Sequence, residues 1–149
     1  MTQPAVDAPL PSGIEKVLAR FQTMGRDEKM QALLAYARKL EPLPERFHAL
    51  DRGAFTVPEC QTRVDLFPEV RDGRLWFYVD LDARQSPTIA AFLSLLLGAV
   101  NGETPGTILA IPPDFVPRVM AGMGLAARET GLTAMVQRIK RHARDAMAA

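Results

Sequence analysis

Apolar residues recur every third or fourth position along the first part of the chain. Ser12 and Glu15 have the spacing of a capping box, in which each side chain serves the other's free backbone donor. Ile14, Val17, Leu18 and Phe21 then share one helical face, predicting a helix to about Met24 that Gly25 ends. Asp27 is placed to cap a second helix, with Met30, Leu33, Leu34, Ala37 and Leu40 on one face. Pro42 and Pro44 stop it and open a long loop.

The period then shortens to two. Phe55 to Val57 predicts a short first strand. Thr62 to Val70 starts β-branched and alternating, and Pro68 suits an edge or a strand end. Arg71-Asp72-Gly73-Arg74 carries an Asp-Gly turn signal, and Leu75 to Asp80 is the clearest strand, so the two runs form a hairpin. Trp76 and Tyr78 belong to one of its faces, Phe77 and Val79 to the other.

Helical spacing returns at Ser86-Pro87, an N-cap followed by a first-turn proline. That helix runs to about Asn101, turns Ile89, Phe92, Leu96 and Val100 inward, and stops at Gly102. Thr104-Pro105 opens a short helix ending near Ala110, and Asp114 another over Phe115 to Met120. A last helix runs from Arg128 to about Ala146, with Leu132, Met135, Val136 and Ile139 on its stripe. Helices, then strands, then helices indicate an α+β fold, a small antiparallel β-sheet packed against helices. Residues 12–149 form one domain, and residues 1–11, with Pro4, Pro9 and Pro11, are expected to be a disordered tail.

Composition narrows the function classes. The chain has 149 residues, 48% hydrophobic and 23% charged, which allows an ordinary core. A net charge of +1 gives no electrostatic case for nucleic acid or a membrane surface. The longest apolar stretch, Ile89 to Val100, is shorter than the ~20 residues a bilayer span needs. Residues 1–11 lack the basic-then-apolar order of a signal peptide. One cysteine excludes an internal disulfide and suits a reducing compartment, so a cytoplasmic location is expected.

Side chains with catalytic potential are sparse. His48 falls in a loop and His142 on the polar side of the last helix, neither with metal-ligand spacing. Asp80 and Asp82, at a strand end, suit turn or capping roles. Arg138, Lys140, Arg141 and Arg144 read as a solvated basic face. Cys60 remains, in Val57-Pro58-Glu59-Cys60-Gln61-Thr62-Arg63-Val64. A lone thiol at a loop-to-strand junction is either a small buried filler or a reactive group that visits a partner.

That segment resembles the acceptor-cysteine motif of the SufE family of sulfur acceptors, Val-x-Gly-Cys-Gln-Ser-x-Val-Trp. The matching residues are Val57, Cys60, Gln61, Thr62 in place of serine, and Val64. The likeness continues in family order through Phe21, Lys29, Leu33-Leu34-x-Tyr36, Leu40-Glu41-Pro42-Leu43-Pro44, Asp80 and Asp82. It ends with Asn101-Gly102-x-Thr104-Pro105 and Arg128-x-x-Gly131-Leu132-x-Ala134-Met135. The resemblance implies that Cys60 takes persulfide sulfur from a SufS-type cysteine desulfurase, stimulates it, and hands sulfur to a SufBCD-type iron–sulfur scaffold. It implies no cofactor in this chain, because the pyridoxal phosphate belongs to the desulfurase, and it allows a homodimer. Asp80, Arg128 and Gln61 are implied to position the loop or meet the partner. In the first turn of a helix, Arg128 opposes the dipole, which suggests either a specific acceptor for it or a solvent-exposed arginine.

The chain departs from the family around the thiol. Glu59 replaces the family's glycine, costing loop freedom and placing a carboxylate where it disfavours a thiolate. Asp65 replaces a tryptophan, Leu81 a serine and Ala91 a glycine, and Arg84 to Ser86 is an insertion. A second reading is therefore a non-catalytic member of the fold that docks on a desulfurase or scaffold without carrying sulfur.

Overall fold

The computed structural model describes residues 12–50, 52–59, 63–120 and 126–148, with only the backbone at positions 12, 52 and 126–128. Helix α1 spans Ser12–Gln22 and α2 spans Arg26–Ala37. The strands are β1, Asp65–Arg71, and β2, Arg74–Asp80. Helices α3 (Pro87–Val100), α4 (Pro105–Leu109), α5 (Phe115–Met120) and α6 (Ala126–Ala148) complete the chain. The architecture is α+β, as the pattern predicts. The tail expected at residues 1–11 lies outside the described residues.

Helix α3 is the centre of the core. Ten of its residues are buried, on every side rather than on one stripe, so other elements must cover it all round. Ile89, Phe92, Leu96 and Val100 are among them, as expected. Helix α2 runs along α3, α6 packs on α4 and α5, and β2 lies against α3 through Leu75, Phe77 and Val79. Helix α1 crosses α3 at Gly13. A Cβ there would lie 2.8 Å from the Ala99 Cα and 2.9 Å from its Cβ. Glycine is needed at this crossing for space, because a side chain would push two helices apart.

The hairpin pairs Asp65 with Asp80 and Arg71 with Arg74. Its turn places Asp72 at φ 54° and Gly73 at φ 76°, the two left-handed positions of a tight hairpin turn that matches strand twist. The Asn101 amide accepts from the Phe77 N–H at 2.8 Å and donates to the Phe77 C=O at 3.2 Å. Leu75 exchanges bonds with Glu103 and Gly102 at 3.0 and 2.8 Å. Residues 101–103 therefore stand in for a third strand. Phe77 turns its backbone away from β1, so its partner Pro68 lies at a non-hydrogen-bonded pair where a missing N–H removes nothing.

Several expectations are corrected. Gly25, not Asp27, caps α2, and the Glu28 carboxylate accepts from the Gly25 N–H at 3.4 Å. Helix α2 ends at Ala37, before Leu40, and Leu34 on its expected apolar face is exposed. Phe55 closes a 3-10 turn, Arg52–Phe55, rather than opening a strand. Its ring lies 4.8 Å from that of Phe67, and that packing draws it out of extended geometry. Among the described residues of the expected strand, Thr56 bridges to Asp65, where β1 starts, and Thr62 lies outside the described residues. Lys140 is buried, not solvated, and donates to the Ile111 carbonyl at 2.5 Å. Burial, and secondarily Arg144, lowers its pKa. His142 is half-buried with its ring 6.2 Å from Phe77, and its Nε2 finds no hydrogen-bond partner among the described residues.

Two predictions follow from this packing. Gly13→Val is expected to destabilise the fold by about 1–3 kcal/mol through overpacking, read by chemical denaturation. Burial, more than Arg138 and Arg141 and against Asp145, lowers the His142 pKa below its ordinary 6.5. The neutral ring is favoured in the folded state, so its contribution is intact above pH 6.5 and is lost as pH falls through the lower folded value. His142→Leu should flatten the loss of thermal midpoint between about pH 7 and about pH 5 relative to the native chain. Parallel losses in both proteins would contradict this.

Candidate functional site

The segment around the cysteine leaves the sheet through a narrow neck. Val57 and Val64 are both buried, and the Val57 N–H donates to the Val64 carbonyl at 2.8 Å. One residue further out on each side, Thr56 and Asp65 form a bridge. The Thr56 hydroxyl donates to Asp65 Oδ1 at 2.5 Å, the short distance of a charge-assisted bond. Arg63 Nε reaches Asp65 Oδ2 at 3.3 Å, its own side chain 65% exposed while that of Asp65 is 1% exposed. A carboxylate this deep is costly unless paired and hydrogen-bonded, and Arg63 and Thr56 supply both. Pro58, Glu59 and Arg63, outside the neck, are exposed.

The neck lies at one end of the hairpin. Asp65 pairs across the ladder with Asp80, so half-buried Asp80 stands at the root of the loop. Cys60 and Gln61 lie outside the described residues, as does the side chain of Arg128, whose backbone belongs to the first turn of α6. Helix α6 packs against β1. The structure thus brings Asp80 to the loop's root. Asp82 turns the chain toward α3, its carboxylate accepting from the Arg84 N–H at 3.0 Å and its carbonyl from Gln85 and Ser86. Among the described residues there is no group of His, Cys, Asp and Glu able to hold a metal, and no helix long and apolar enough to cross a membrane.

The other end of the loop's long approach is also fixed. Arg46 grips Glu69 through two bonds of 3.1 and 3.0 Å. Its guanidinium lies 4.8 Å from the Phe47 ring and 5.1 Å from that of Tyr78. The Arg46 hydrogen bond lowers the Glu69 pKa and Glu69 raises that of Arg46. Phe47 is buried against Phe67 and Tyr78, so the loop covers the hairpin face that the helices leave open. Sequence reading missed Asp65 as a latch and treated it only as a departure. Its signal was a carboxylate opening an alternating run between the apolar residues Val64 and Leu66.

Comparisons agree with this architecture. The family model described as SufE, Fe-S metabolism associated domain, matches residues 15–143. An uncharacterized SufE-like protein of Mycobacterium tuberculosis is 34% identical over 98% of this chain and 99% of its own length. Another, from Synechocystis, is 32% identical over 74% of this chain and 66% of its own. A solution structure of a hypothetical protein from Thermus thermophilus has a TM-score of 0.75 at 27% identity, covering 94% of this chain and 99% of that one.

The latch predicts its own failure. Asp65→Ala removes the carboxylate bonded by Thr56 and Arg63 and is expected to cost about 1–3 kcal/mol. It should also speed amide exchange at Val57 and proteolysis between residues 58 and 63. Thr56→Val should act through the same bond, so the double variant should lose less than the two single losses added.

Proposed function

Since this chain belongs to the SufE family, whose domain is associated with Fe-S metabolism, we propose that it accepts persulfide sulfur on Cys60 from a SufS-type cysteine desulfurase. It stimulates that enzyme by clearing the product sulfur and passes the sulfur to a SufBCD-type scaffold. The observation that carries this reading is the lone cysteine in Val57-Pro58-Glu59-Cys60-Gln61, on a loop clasped at the Asp80 end of the hairpin.

The chemistry needs no further reactive group here. The Cys60 thiolate attacks the terminal sulfur of the partner's cysteine persulfide. A new S–S bond forms on Cys60, the partner's S–S bond breaks, and its electron pair leaves on the partner's cysteine as a thiolate. The same exchange in reverse order delivers the sulfur onward. A loop whose described residues Pro58, Glu59 and Arg63 are exposed, on a hydrogen-bonded root, suits a thiol that must enter another protein's active site. Asp80 and Arg128 position that loop or meet the desulfurase. Gln61, next to the thiol, contacts the partner. The pyridoxal phosphate stays in the desulfurase.

Steady-state turnover of a SufS-type desulfurase tests the reading. Wild-type protein should raise its rate, and Cys60→Ser should remove that stimulation while shifting stability by less than about 1 kcal/mol. Asp80→Ala and Arg128→Ala should lower stimulation severalfold while Cys60 still takes sulfur. Glu59→Gly should raise it, because a neighbouring negative charge disfavours the thiolate. Equal stimulation by wild type and Cys60→Ser would instead favour a docking role without sulfur transfer.

A further inference from the structure

A groove of about 800 Å³ runs between α1, the segment after α2, and β2, with α3 behind it. It is separate from the latch, since Thr56, Val64 and Asp65 do not line it. Tyr36, Trp76 and Tyr78 give it an aromatic wall. Four cations, Lys16, Arg20, Lys39 and Arg71, line it against the single carboxylate of Glu41. The whole chain carries only +1, so positive charge is concentrated here.

These cations are unequal. Arg71 is paired with Glu69 at 3.2 Å and lies 4.4 Å from the Trp76 ring. Lys39 stands 5.2 Å from the Tyr36 ring, and Arg20 reaches the Tyr36 hydroxyl at 3.5 Å. Among the described residues, neither Lys39, Arg20 nor Lys16 has a carboxylate within ion-pair distance. Strand β2 borders the groove, though Val79 on it is only 4% exposed. Leu75 and Phe77 direct their outward groups to residues 101–103. Val79 is the next residue on that edge and lines the groove, and no hydrogen bond to its outward groups occurs among the described residues. Exposed cations without carboxylate partners beside an aromatic wall match one ligand chemistry, a peptide with carboxylate side chains.

We propose that this groove docks an acidic segment of a partner protein, with its carboxylates on Lys16, Arg20 and Lys39. The site works independently of the Cys60 thiol, so it stands or falls apart from sulfur transfer.

A random dodecapeptide display library selected on the full-length protein tests this. The selected peptides should be rich in Asp and Glu, and a synthetic copy should shift the emission of Trp76, the only tryptophan in the chain. Gly98 lines the groove, is exposed, and has no atom within 4 Å of where a Cβ would stand. Gly98→Glu therefore obstructs the groove, and replacing a helical glycine should leave the thermal midpoint at or above that of wild type. It should weaken binding at least about tenfold, as should Lys16→Glu with Lys39→Glu. Cys60→Ser should bind like wild type. The proposal is overturned if no peptide is selected, if neutral or basic sequences emerge, or if Gly98→Glu binds unchanged. It is also overturned if the wild type buries this face in a dimer that Gly98→Glu dissociates.

Discussion

The side chain of Asn101 bonded to both backbone groups of Phe77 is the interaction on which the rest of the structure depends. A two-stranded hairpin is marginal in water. This one persists because residues 101–103 pair with one edge and Thr56 bridges to the other strand's first residue. The Asn101 contact also fixes where α3 ends. Gly102 takes φ 86° there, and a Cβ on it would come 3.3 Å from the Trp76 ring. The chain can then turn back to cover β2, and β2 can close over the apolar helix that no single neighbour could bury.

From that frame the two ends of the hairpin acquire different characters. At the Asp80 end the sheet continues into the latch, where one buried carboxylate holds the root of the cysteine loop. Toward the turn, Arg71 and Trp76 stack beside Glu69, and the groove runs along β2 past Trp76, Tyr78 and Val79. A hydrogen-bonded root below the cysteine segment is suited to handing over a small group. An open, positively charged edge is suited to holding a partner.

Much of the fold was legible because it is written in local periods. The helices after Ser12 and Pro87, the Asp-Gly turn and the faces of β2 follow from spacing alone. What failed depended on contacts distant in sequence. Phe55 reads as strand until Phe67 supplies a ring to pack on. Lys140 lies beside three arginines and reads as solvated, yet the Ile111 carbonyl accepts its amine within the fold. The cysteine motif marked the site, and the register added Asp80 to its root. The Asp65 latch was hidden because its partners, Thr56 and Arg63, acquire meaning only once the neck has closed. The groove's cations come from separate segments and leave no run to notice.

The central claim is that Cys60 itself carries the sulfur. The direct measurement is peptide mass mapping after incubation with a SufS-type desulfurase and cysteine, trapped and digested without reductant. The account predicts one added sulfur atom on the tryptic peptide of residues 53–63, which holds Cys60, and its removal by a thiol reductant. An unmodified peptide in a reaction whose desulfurase is nonetheless accelerated would contradict it.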